Sequence, residues 1–345
     1  MKKLLCVVLL FTLLLPAGAL AEEVVNVFNW EDYINPDVIA MFEAETGIKV
    51  NYMNFTTNED MIVQVEANPG QFDLCFPSDY IIERMIAKDM LAEIDFANVP
   101  NASYTMSNLL NPAYDPQNLY SIPYMWGTVG ILYNTTMVDE PVESWSILWD
   151  SKYANSVFMM DSIRDSMGIT LRYLGYSLNT RDIPQLMAAK QKLIEQKQTG
   201  VVKAYQVDET KDKMVAGEAA LALVWSGDAQ YAIDLNADLA YAVPKEGSNV
   251  WVDGMVIPKD ARNKKNAETL INFLCRPDIA QMNCEYIWYS TPNTGAIELM
   301  GEEYTSNHVM NPSEETVANC EFFNDIESNF RSVYEAMWME VKNAK

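Results

Sequence analysis

The chain has 345 residues, with 48 acidic and 24 basic side chains, one histidine and a formal net charge of −24. This length suffices for two domains of ordinary size with sizeable cores. The excess of acids excludes a nucleic-acid binder, which needs a basic patch, and the single histidine, His308, offers neither a metal site nor a nucleophile and base pair.

The first residues have the pattern of a secretory signal. Two lysines give a basic start, an uncharged apolar run covers residues 4–15, and Ala19 and Ala21 form a small-residue cleavage site. The run is about half as long as the roughly 20 residues of a membrane-spanning helix. We therefore expect residues 1–21 to be removed near Ala21 and the protein to work in a periplasmic space.

Helix and strand signals then alternate, as in an α/β fold. Asn35 is predicted to cap a first helix that begins at Pro36 and ends at Gly47. This series predicts a lobe that is complete near residue 133. Its other predicted elements are a strand at 48–53, a helix from Asn58, a strand at 72–76, a helix from Ser78 to about Lys88, and a strand at 129–133.

A second series predicts another lobe. The continuous apolar run 219–225 is typical of a strand covered on both faces. The connections at 134–140 and 244–250 are predicted hinge strands. The other predicted elements are a short helix capped by Ser144, a strand at 157–160, a helix over 183–194, a strand at 252–257, helices at 267–275 and 279–287, and a terminal helix from about Asp325.

Aromatic residues stand beside carboxylates at four distant places, three of them just after a predicted strand. A ring supports a methylene chain and attracts an ammonium, while a carboxylate accepts charge-assisted hydrogen bonds from the same nitrogen. Single pairs also occur in cores and on surfaces, but repetition at strand ends favours a site for an organic cation. The pairs are Trp30 and Tyr33 with Glu31 and Asp32, Asp79 with Tyr80, Trp225 with Asp228, and Trp251 with Asp253.

The cysteines after the signal are Cys75, Cys275, Cys284 and Cys320. An even number in an oxidising compartment permits disulfides without specifying them, and Cys275 could pair with Cys284. Cys75 lies in an apolar run, which favours a buried thiol, and no C-x-x-C spacing indicates zinc. We expect buried thiols, with no metal and no cofactor.

Eight motifs are spread over the chain. They are FNWEDY at 28–33, ETGIKV at 45–50, PSDY at 77–80, SIPYMWG at 121–127, VPKEG at 243–247, WVDG at 251–254 followed by Ile257 and Pro258, INFL at 271–274, and YSTPN at 289–293. In these motifs and their order, the chain resembles the spermidine/putrescine-binding proteins of bacterial ABC importers. The resemblance covers nearly all of the chain after the signal.

The resemblance implies a type 2 periplasmic binding protein with two α/β lobes. Each lobe would have a central sheet flanked by helices, and two hinge crossings would join the lobes around the ligand. Carried over, lobe 1 comprises residues 24–133 and 251–300, and lobe 2 comprises residues 134–250 and 301–345.

The implied function is that of a polyamine receptor outside the membrane. The protein would be a monomer, and it would bind its ligand without being an enzyme. It would deliver that ligand to a membrane permease and its ATPase. Two alternatives stay open, because stacking aromatics also suit a sugar or thiamine receptor of this fold, and paired carboxylates suit a secreted glycoside hydrolase.

The resemblance also implies the contacts. The aromatic residues would surround the alkyl chain and Asp253 would hold an ammonium. Trp251 and Asp253 are two residues apart, so both would face the same side of a strand. Ser78 also has the position of a helix cap, and a cap at a cleft can serve both purposes. The implied contact residues are Trp30, Tyr33, Ser78, Tyr80, Trp225, Trp251, Asp253 and Tyr289.

Three positions depart from the family. Where the family has two contact carboxylates, this chain has Ser162 and Asp165, so one acidic contact is lost or moved. Asp161 could equally cap the helix that follows. Glu31 replaces a small hydroxyl residue and is a candidate to restore a charge inside the cleft. Phe323 stands at a polar contact position, which leaves that contact open. The amine class is therefore predicted, and the particular amine is not.

Overall fold

The computed structural model describes residues 23–326 and 328–344, and for residues 328 and 329 the backbone alone. The predicted signal at 1–21 lies outside the described residues. The strands are β1 (Val24–Trp30), β2 (Lys49–Phe55), β3 (Leu74–Cys75), β4 (Ser121–Asn134), β5 (Val157–Met160), β6 (Val202–Gln206), β7 (Leu221–Trp225), β8 (Leu239–Ala242) and β9 (Val250–Val256).

The helices are α1 (Pro36–Thr46), α2 (Asn58–Ala67), α3 (Asp79–Ala87), α4 (Ile163–Tyr173), α5 (Ile183–Gln198), α6 (Glu209–Val215), α7 (Ser226–Leu235), α8 (Lys264–Leu274), α9 (Pro277–Ile287), α10 (Thr294–Thr305), α11 (Glu314–Ala318) and α12 (Ser328–Asn343). They lie on both faces of the strands. The predicted two-lobed α/β fold is confirmed.

The strands form one mixed sheet that passes through both lobes. Its order is β2-β1-β3-β9-β4-β7-β5-β6, with β8 also paired to β4. In lobe 1, β1 is parallel to β2 and β3, and in lobe 2, β5 is parallel to β6 and β7. The lobes are joined at the centre of the order, by β9 and β4.

Strand β4 pairs with strands of both predicted lobes. Its residues 121–128 pair antiparallel with β9, and from Val129 onward the strand pairs with β7 and then β8. Val129 N also donates to Asn249 O at 3.0 Å, next to the start of β9. After Thr128, β4 therefore exchanges its pairing with β9 for pairing with β7 and β8.

The local signals explain the predicted helix starts. Asn35 Oδ1 accepts a hydrogen bond from Asp37 N at 2.9 Å, Pro36 begins α1, and Gly47 ends it with a φ of 74°. A positive φ is inexpensive for glycine because it has no Cβ atom. Each feature of α1 is as predicted.

The sheet is covered on both faces. Residues 221–224 of β7 are fully buried, which confirms the strand predicted from the continuous apolar run. On one face, a cluster that includes Phe28, Met61 and Ile82 packs beneath α2 and α3. In lobe 2, Phe158 and Ala229 belong to a cluster beneath α6 and α7. The cleft residues are therefore attached to well-packed layers.

Several element limits differ from the predictions. β3 is limited to Leu74–Cys75, and β4 starts at Ser121 rather than near residue 129. Pro123 interrupts the β4 pairing because it lacks an N–H group, and the register shifts there. β6 and β8 were not predicted, since most of their residues are half-buried and give no apolar pattern. The helices α6, α7, α10 and α11 were also not predicted.

The four cysteines in the described ranges are free thiols. Cys275 and Cys284 are both buried without a bridge, and Cys320 is half-buried with its thiol donating to Thr316 O. His308 is exposed. Among the residues described, no cluster of potential ligands could hold a metal ion. None of the helices in those ranges is both long and apolar enough to cross a bilayer.

Candidate functional site

A buried carboxylate on β9 has hydroxyl groups as its partners. Asp253 is 6% exposed. Its Oδ1 accepts a hydrogen bond from Ser78 Oγ at 2.6 Å, and its Oδ2 accepts one from Tyr33 OH at 2.7 Å. No lysine or arginine of residues 23–326 and 328–344 forms an ion pair with it. The carboxylate has therefore lost its hydration without gaining a cation.

The electrostatic consequence is a raised pKa. Burial raises the pKa of Asp253 to about 6, even though both hydroxyl bonds favour the ionised form. A cation that entered the site would stabilise the carboxylate and lower this pKa again. The position is thus suited to a ligand that brings its own positive charge.

Ser78 reaches Asp253 because the chain turns toward β9 after β3. Gly254 N donates to Pro77 O at 2.9 Å, and Ser78 forms an isolated antiparallel bridge with Asp253. Ser78 has the N-cap position of α3, as predicted, but its side chain makes no capping bond. Its Oγ instead accepts from Asn58 Nδ2 at 2.9 Å and donates to Asp253.

A second buried acid lies beside the first. Asp79 is 1% exposed, its Oδ1 accepts from Tyr80 N at 2.7 Å, and its Oδ2 has no partner. Burial holds the pKa of Asp79 well above its usual range, and the charge of Asp253 raises it further. Two crowded acids repel each other when both are ionised, so a cation here would stabilise both.

Three rings form a wall around Asp253. Tyr289 meets Trp251 edge to face with centroids 5.1 Å apart, and it meets Tyr33 at 6.0 Å. Trp251 and Asp253 therefore share one side of β9, as their spacing predicts. Trp251 is 8% exposed, and its indole Nε1 has no hydrogen-bond partner. The wall offers apolar faces next to the charged group, which suits an alkyl ammonium.

Trp30 and Tyr80 are half-buried at the margins of lobe 1. Trp30 ends β1, and its Nε1 donates to Phe76 O at 2.9 Å. Tyr80 OH donates to Glu59 Oε1 at 3.2 Å, and the ring of Tyr80 faces the guanidinium of Arg164 at 5.7 Å. Arg164 lies in the predicted lobe 2, so this contact joins α3 to α4.

The lobe 2 contribution begins with Asp165 in the first turn of α4. Its carboxylate accepts a hydrogen bond from Ser162 Oγ. Burial raises the pKa of Asp165, although this bond and the charge of Arg164 oppose the shift. Ser162 is the cap of α4, so the proposed capping by Asp161 is wrong. Asp161 instead pairs with Lys342 at 2.7 Å on the surface.

The position of Phe323 is apolar. This residue is 6% exposed, and the guanidinium of Arg164 lies 4.3 Å from the centroid of its ring. A polar ligand contact at this position is therefore replaced by a ring that supports an arginine.

Glu31 lies apart from the carboxylates described above. Its side chain is exposed and lines a surface hollow with Asp32, Tyr52 and Tyr286. Tyr33 lines the same hollow and also bonds to Asp253. The structure thus places Glu31 on the outer side of Tyr33 and does not connect it to the hydrogen bonds of Asp253.

Sequence reasoning missed two residues that hold the site together. Asn58 begins α2, as predicted, but it is also buried and donates to both Ser78 Oγ and Tyr80 OH. Arg164 was not considered, although it touches Tyr80 and Phe323. Neither has a sequence signal of its own, because each acts through residues far along the chain.

Comparisons with known proteins give the family. The profile of the family described as bacterial extracellular solute-binding protein matches residues 37–311. The chain is 36% identical to the spermidine/putrescine-binding periplasmic protein of Escherichia coli K12, over 95% of this chain and 97% of that protein.

Solved structures agree with this result. A Listeria monocytogenes protein described as a spermidine/putrescine ABC transporter superposes with a TM-score of 0.87 at 38% identity, covering 94% of this chain and all 100% of that one. The spermidine/putrescine ABC transporter substrate-binding protein PotD of Streptococcus pneumoniae gives a TM-score of 0.84 at 38% identity, covering 93% of this chain and 98% of that one.

Proposed function

The chain belongs to the bacterial extracellular solute-binding proteins, and from this premise we propose that it captures a polyamine for an ABC importer. The observation that carries the proposal is the buried carboxylate of Asp253, which has two hydroxyl partners, no cation and a wall of aromatic rings. A polyamine joins primary ammonium groups by methylene chains and so matches both parts of the site.

The names of the relatives support the same ligand class. They are spermidine/putrescine-binding proteins, which favours the amine over a sugar, thiamine or glycoside substrate. A neutral sugar would also leave Asp253 buried without a compensating charge, which is costly. We further propose that the protein binds without turnover, since its family is one of solute-binding proteins.

The ligand site is proposed to lie between the lobes. The cluster of Tyr33, Ser78, Trp251, Asp253 and Tyr289 would bind one side of the amine, and Asp165 with Trp225 would bind the other, with Trp30 and Tyr80 at the margin. A ligand that contacts both lobes stabilises the closed arrangement. We place the hinge where β4 changes partner after Thr128 and where Asn249 precedes β9. The lobe limits near 133, 250 and 300 remain part of this proposal.

The cellular setting follows from the same proposal. Residues 1–21 would direct export and be removed near Ala21, leaving a monomer in the periplasm. The closed receptor would deliver its amine to a membrane permease driven by an ATPase. The net charge of −24 would repel nucleic acid and would concentrate cationic ligands near the protein.

Isothermal titration tests the proposal. The protein is first unfolded and refolded to remove any amine that has co-purified, and it is then titrated with putrescine, spermidine and spermine. The matched control is 1,4-butanediol, which has the length of putrescine without its charges. We expect saturable binding of at least one amine and none of the diol. Heats indistinguishable from dilution for all three amines would refute the proposal.

A further inference from the structure

Asp79 is a buried acid with one carboxylate oxygen that receives no hydrogen bond. The residue is 1% exposed, and its Oδ1 accepts from Tyr80 N at 2.7 Å, whereas its Oδ2 has no partner among the described residues. Burial without a compensating hydrogen bond costs much more free energy for an ionised group than for a neutral one. These contacts therefore favour an Asp79 that carries a proton while the cleft is empty.

Two other buried acids of the same lobe show what Asp79 lacks. Asp73 is 0% exposed, but its Oδ1 accepts from Asn263 N and its Oδ2 from Asn26 N, both at 2.9 Å. Asp115 also accepts backbone N–H groups at both of its oxygens. Burial is thus common to the three acids, and the missing donor is particular to Asp79.

Charged groups face Asp79 from two neighbouring elements. Burial is the main cause of its raised pKa, the charge of Asp253 on β9 raises that pKa further, and the charge of Arg164 on α4 lowers it. The other titratable neighbours are Tyr80 and Tyr114, whose phenols stay neutral because burial raises their pKa as well. Ionisation of Asp79 is therefore opposed chiefly by burial and by the second carboxylate.

Arg164 does not provide the missing hydrogen bond. Its Nη1 donates to Asn324 O at 3.1 Å and its Nη2 to Asn179 Oδ1 at 3.4 Å, and its guanidinium lies 4.3 Å from the centroid of the Phe323 ring. Its position is thus fixed by other groups, and Oδ2 of Asp79 stays without a donor.

An ammonium bound at Asp253 would change this balance. Ser78 connects the two acids, since it precedes Asp79 and its Oγ donates to Asp253 Oδ1 at 2.6 Å. A positive charge at Asp253 would offset the repulsion between the carboxylates and make the ionised form of Asp79 less costly. Amine binding and proton binding would then oppose each other, and this coupling is reciprocal.

We propose that Asp79 carries a proton in the ligand-free cleft and releases it when an amine binds at Asp253. This inference rests on the proposed polyamine function. The O–H bond of Asp79 breaks, its electron pair stays on the carboxylate, and a base of the buffer takes up the proton. One positive charge thus enters the site as another leaves it, and raising the pH above 7 should still strengthen binding.

Calorimetry in two buffers measures the released proton. Putrescine is titrated at pH 7.5 in phosphate and in Tris, whose ionisation enthalpies differ, and the difference in heat gives the number of protons released. Asp253, with a pKa of about 6, is already ionised at this pH and contributes little. We expect the unmodified protein to release roughly half a proton or more. Asp79→Asn keeps the shape but cannot ionise, so it should release less than about 0.1.

The affinity itself gives a second measurement. From pH 7 to pH 8.5, the putrescine affinity of the unmodified protein should rise about threefold or more, while that of Asp79→Asn should change by less than about 1.5-fold. A primary ammonium keeps its proton over this range, because its pKa is about 10. The matched control is Asp60→Asn, which removes an exposed acid from the first turn of α2. It should behave as the unmodified protein does.

Infrared difference spectra need no variant. In unmodified protein labelled with ¹³C-aspartate, the carbonyl band of a protonated carboxylic acid should be present at pH 7.5 and should disappear when putrescine is added. This measurement decides the question even if Asp79→Asn does not fold.

The remaining outcomes contradict the inference. Proton release that persists in Asp79→Asn would assign the proton to another group, and an acid carbonyl band that putrescine leaves unchanged would make Asp79 a permanently neutral residue. Amine binding without proton release between pH 6.5 and 8.5 removes this inference alone. If the unmodified protein binds no amine, the proposed function fails, and the inference fails with it.

Discussion

On lobe 1, Asp253 is held by two neutral hydroxyl groups, whereas on lobe 2 the acids already have partial counter-charges. The charge of Arg164 stabilises the ionised form of Asp165, and Lys211 Nζ lies 3.5 Å from Asp228 Oδ1. Asp253 and Asp165 are buried and Asp228 is half-buried, and the loss of hydration raises the pKa of each. The two lobes therefore both present carboxylates, but only those of lobe 2 already have a positively charged side chain nearby.

This difference suggests an order of events. At Asp253, an arriving ammonium gains a charged partner without displacing one, so this contact should contribute most of the affinity. On lobe 2, an ammonium exchanges with groups that are already present, so the net gain is smaller. Lobe 1 would thus bind the ligand first. The contacts of lobe 2 would then determine which bound ligands stabilise the closed form.

The largest expected effect is at Asp253. Asp253→Asn keeps the shape and removes the anion, and losing one partner of a buried charged pair typically costs about 2 to 5 kcal/mol. Titration calorimetry with putrescine should therefore show a loss of more than about tenfold. The matched change Asp165→Asn on lobe 2 should cost less. An equal or larger loss in Asp165→Asn would reverse the comparison.

The aromatic wall is expected to give the next largest effect. Trp251→Ala removes the indole that meets Tyr289, and we expect a loss of putrescine affinity of about tenfold. Trp251→Phe keeps a flat ring and should retain most of the affinity. Trp251 is 8% exposed, so the alanine variant should also lose unfolding free energy, which thermal melts would show. Equal affinity in the two variants would rule out a role for the ring face.

Lowering the pH should separate affinity from stability. The ammonium needs an ionised Asp253, whose pKa is about 6 in the ligand-free protein. Affinity should therefore fall about tenfold from pH 7 to pH 5, and Asp253→Asn should flatten this profile. The stability contribution has the opposite sign. Because the folded pKa is raised, that contribution is present near pH 4 and is lost as the pH rises through 6. A pH-independent affinity would contradict the assignment.

The smallest expected effect concerns an ion pair between the lobes. Arg84 on α3 donates from Nε and Nη2 to Asp325 Oδ1 at 2.8 and 2.6 Å, and the Arg84 side chain is 7% exposed. Lobe 2 holds the same segment, since Arg164 and Arg181 donate to the backbone oxygens of Asn324 and Asp325.

Breaking this pair should favour the open form. Asp325→Asn should increase the radius of gyration of the ligand-free protein and weaken putrescine binding by no more than about fivefold. The exchanged variant Arg84→Asp with Asp325→Arg should recover part of both changes. Unchanged scattering profiles for Asp325→Asn would show that the pair does not hold the lobes together.

Short-range signals were sufficient for much of the fold. The start and end of α1 depend on Asn35, Pro36 and Gly47, which act within a few residues, and the prediction was correct. The first half of β4 was missed because Pro123 and Gly127 break its apolar pattern, while its pairing with β9 lies far along the chain. A long-range partner can hold a strand that local propensity does not indicate.

In the candidate site too, local sequence predicts some features, whereas others depend on residues far along the chain. The spacing of Trp251 and Asp253 correctly predicted one shared side of a strand. The behaviour of Ser78 could not be read from its position, because its hydroxyl is directed by Asn58 and Asp253 rather than by α3. From the sequence, Glu31 is a candidate to restore a charge inside the cleft. The structure, however, turns it to the surface, where Asp32 has a φ of 52°.

The passage of β4 through both lobes has a mechanical consequence. Its hydrogen bonds continue across the change of partner, and Val250 N donates to Glu321 O at 3.1 Å beside it. A continuous strand of this kind would bend as a single elastic element, without the free play that two separate packed surfaces would allow. Its path would be repeatable from one cycle to the next. The distance between the outer ends of the lobes would then depend on whether ligand is bound. A membrane partner could therefore distinguish the bound from the free protein without contacting the ligand.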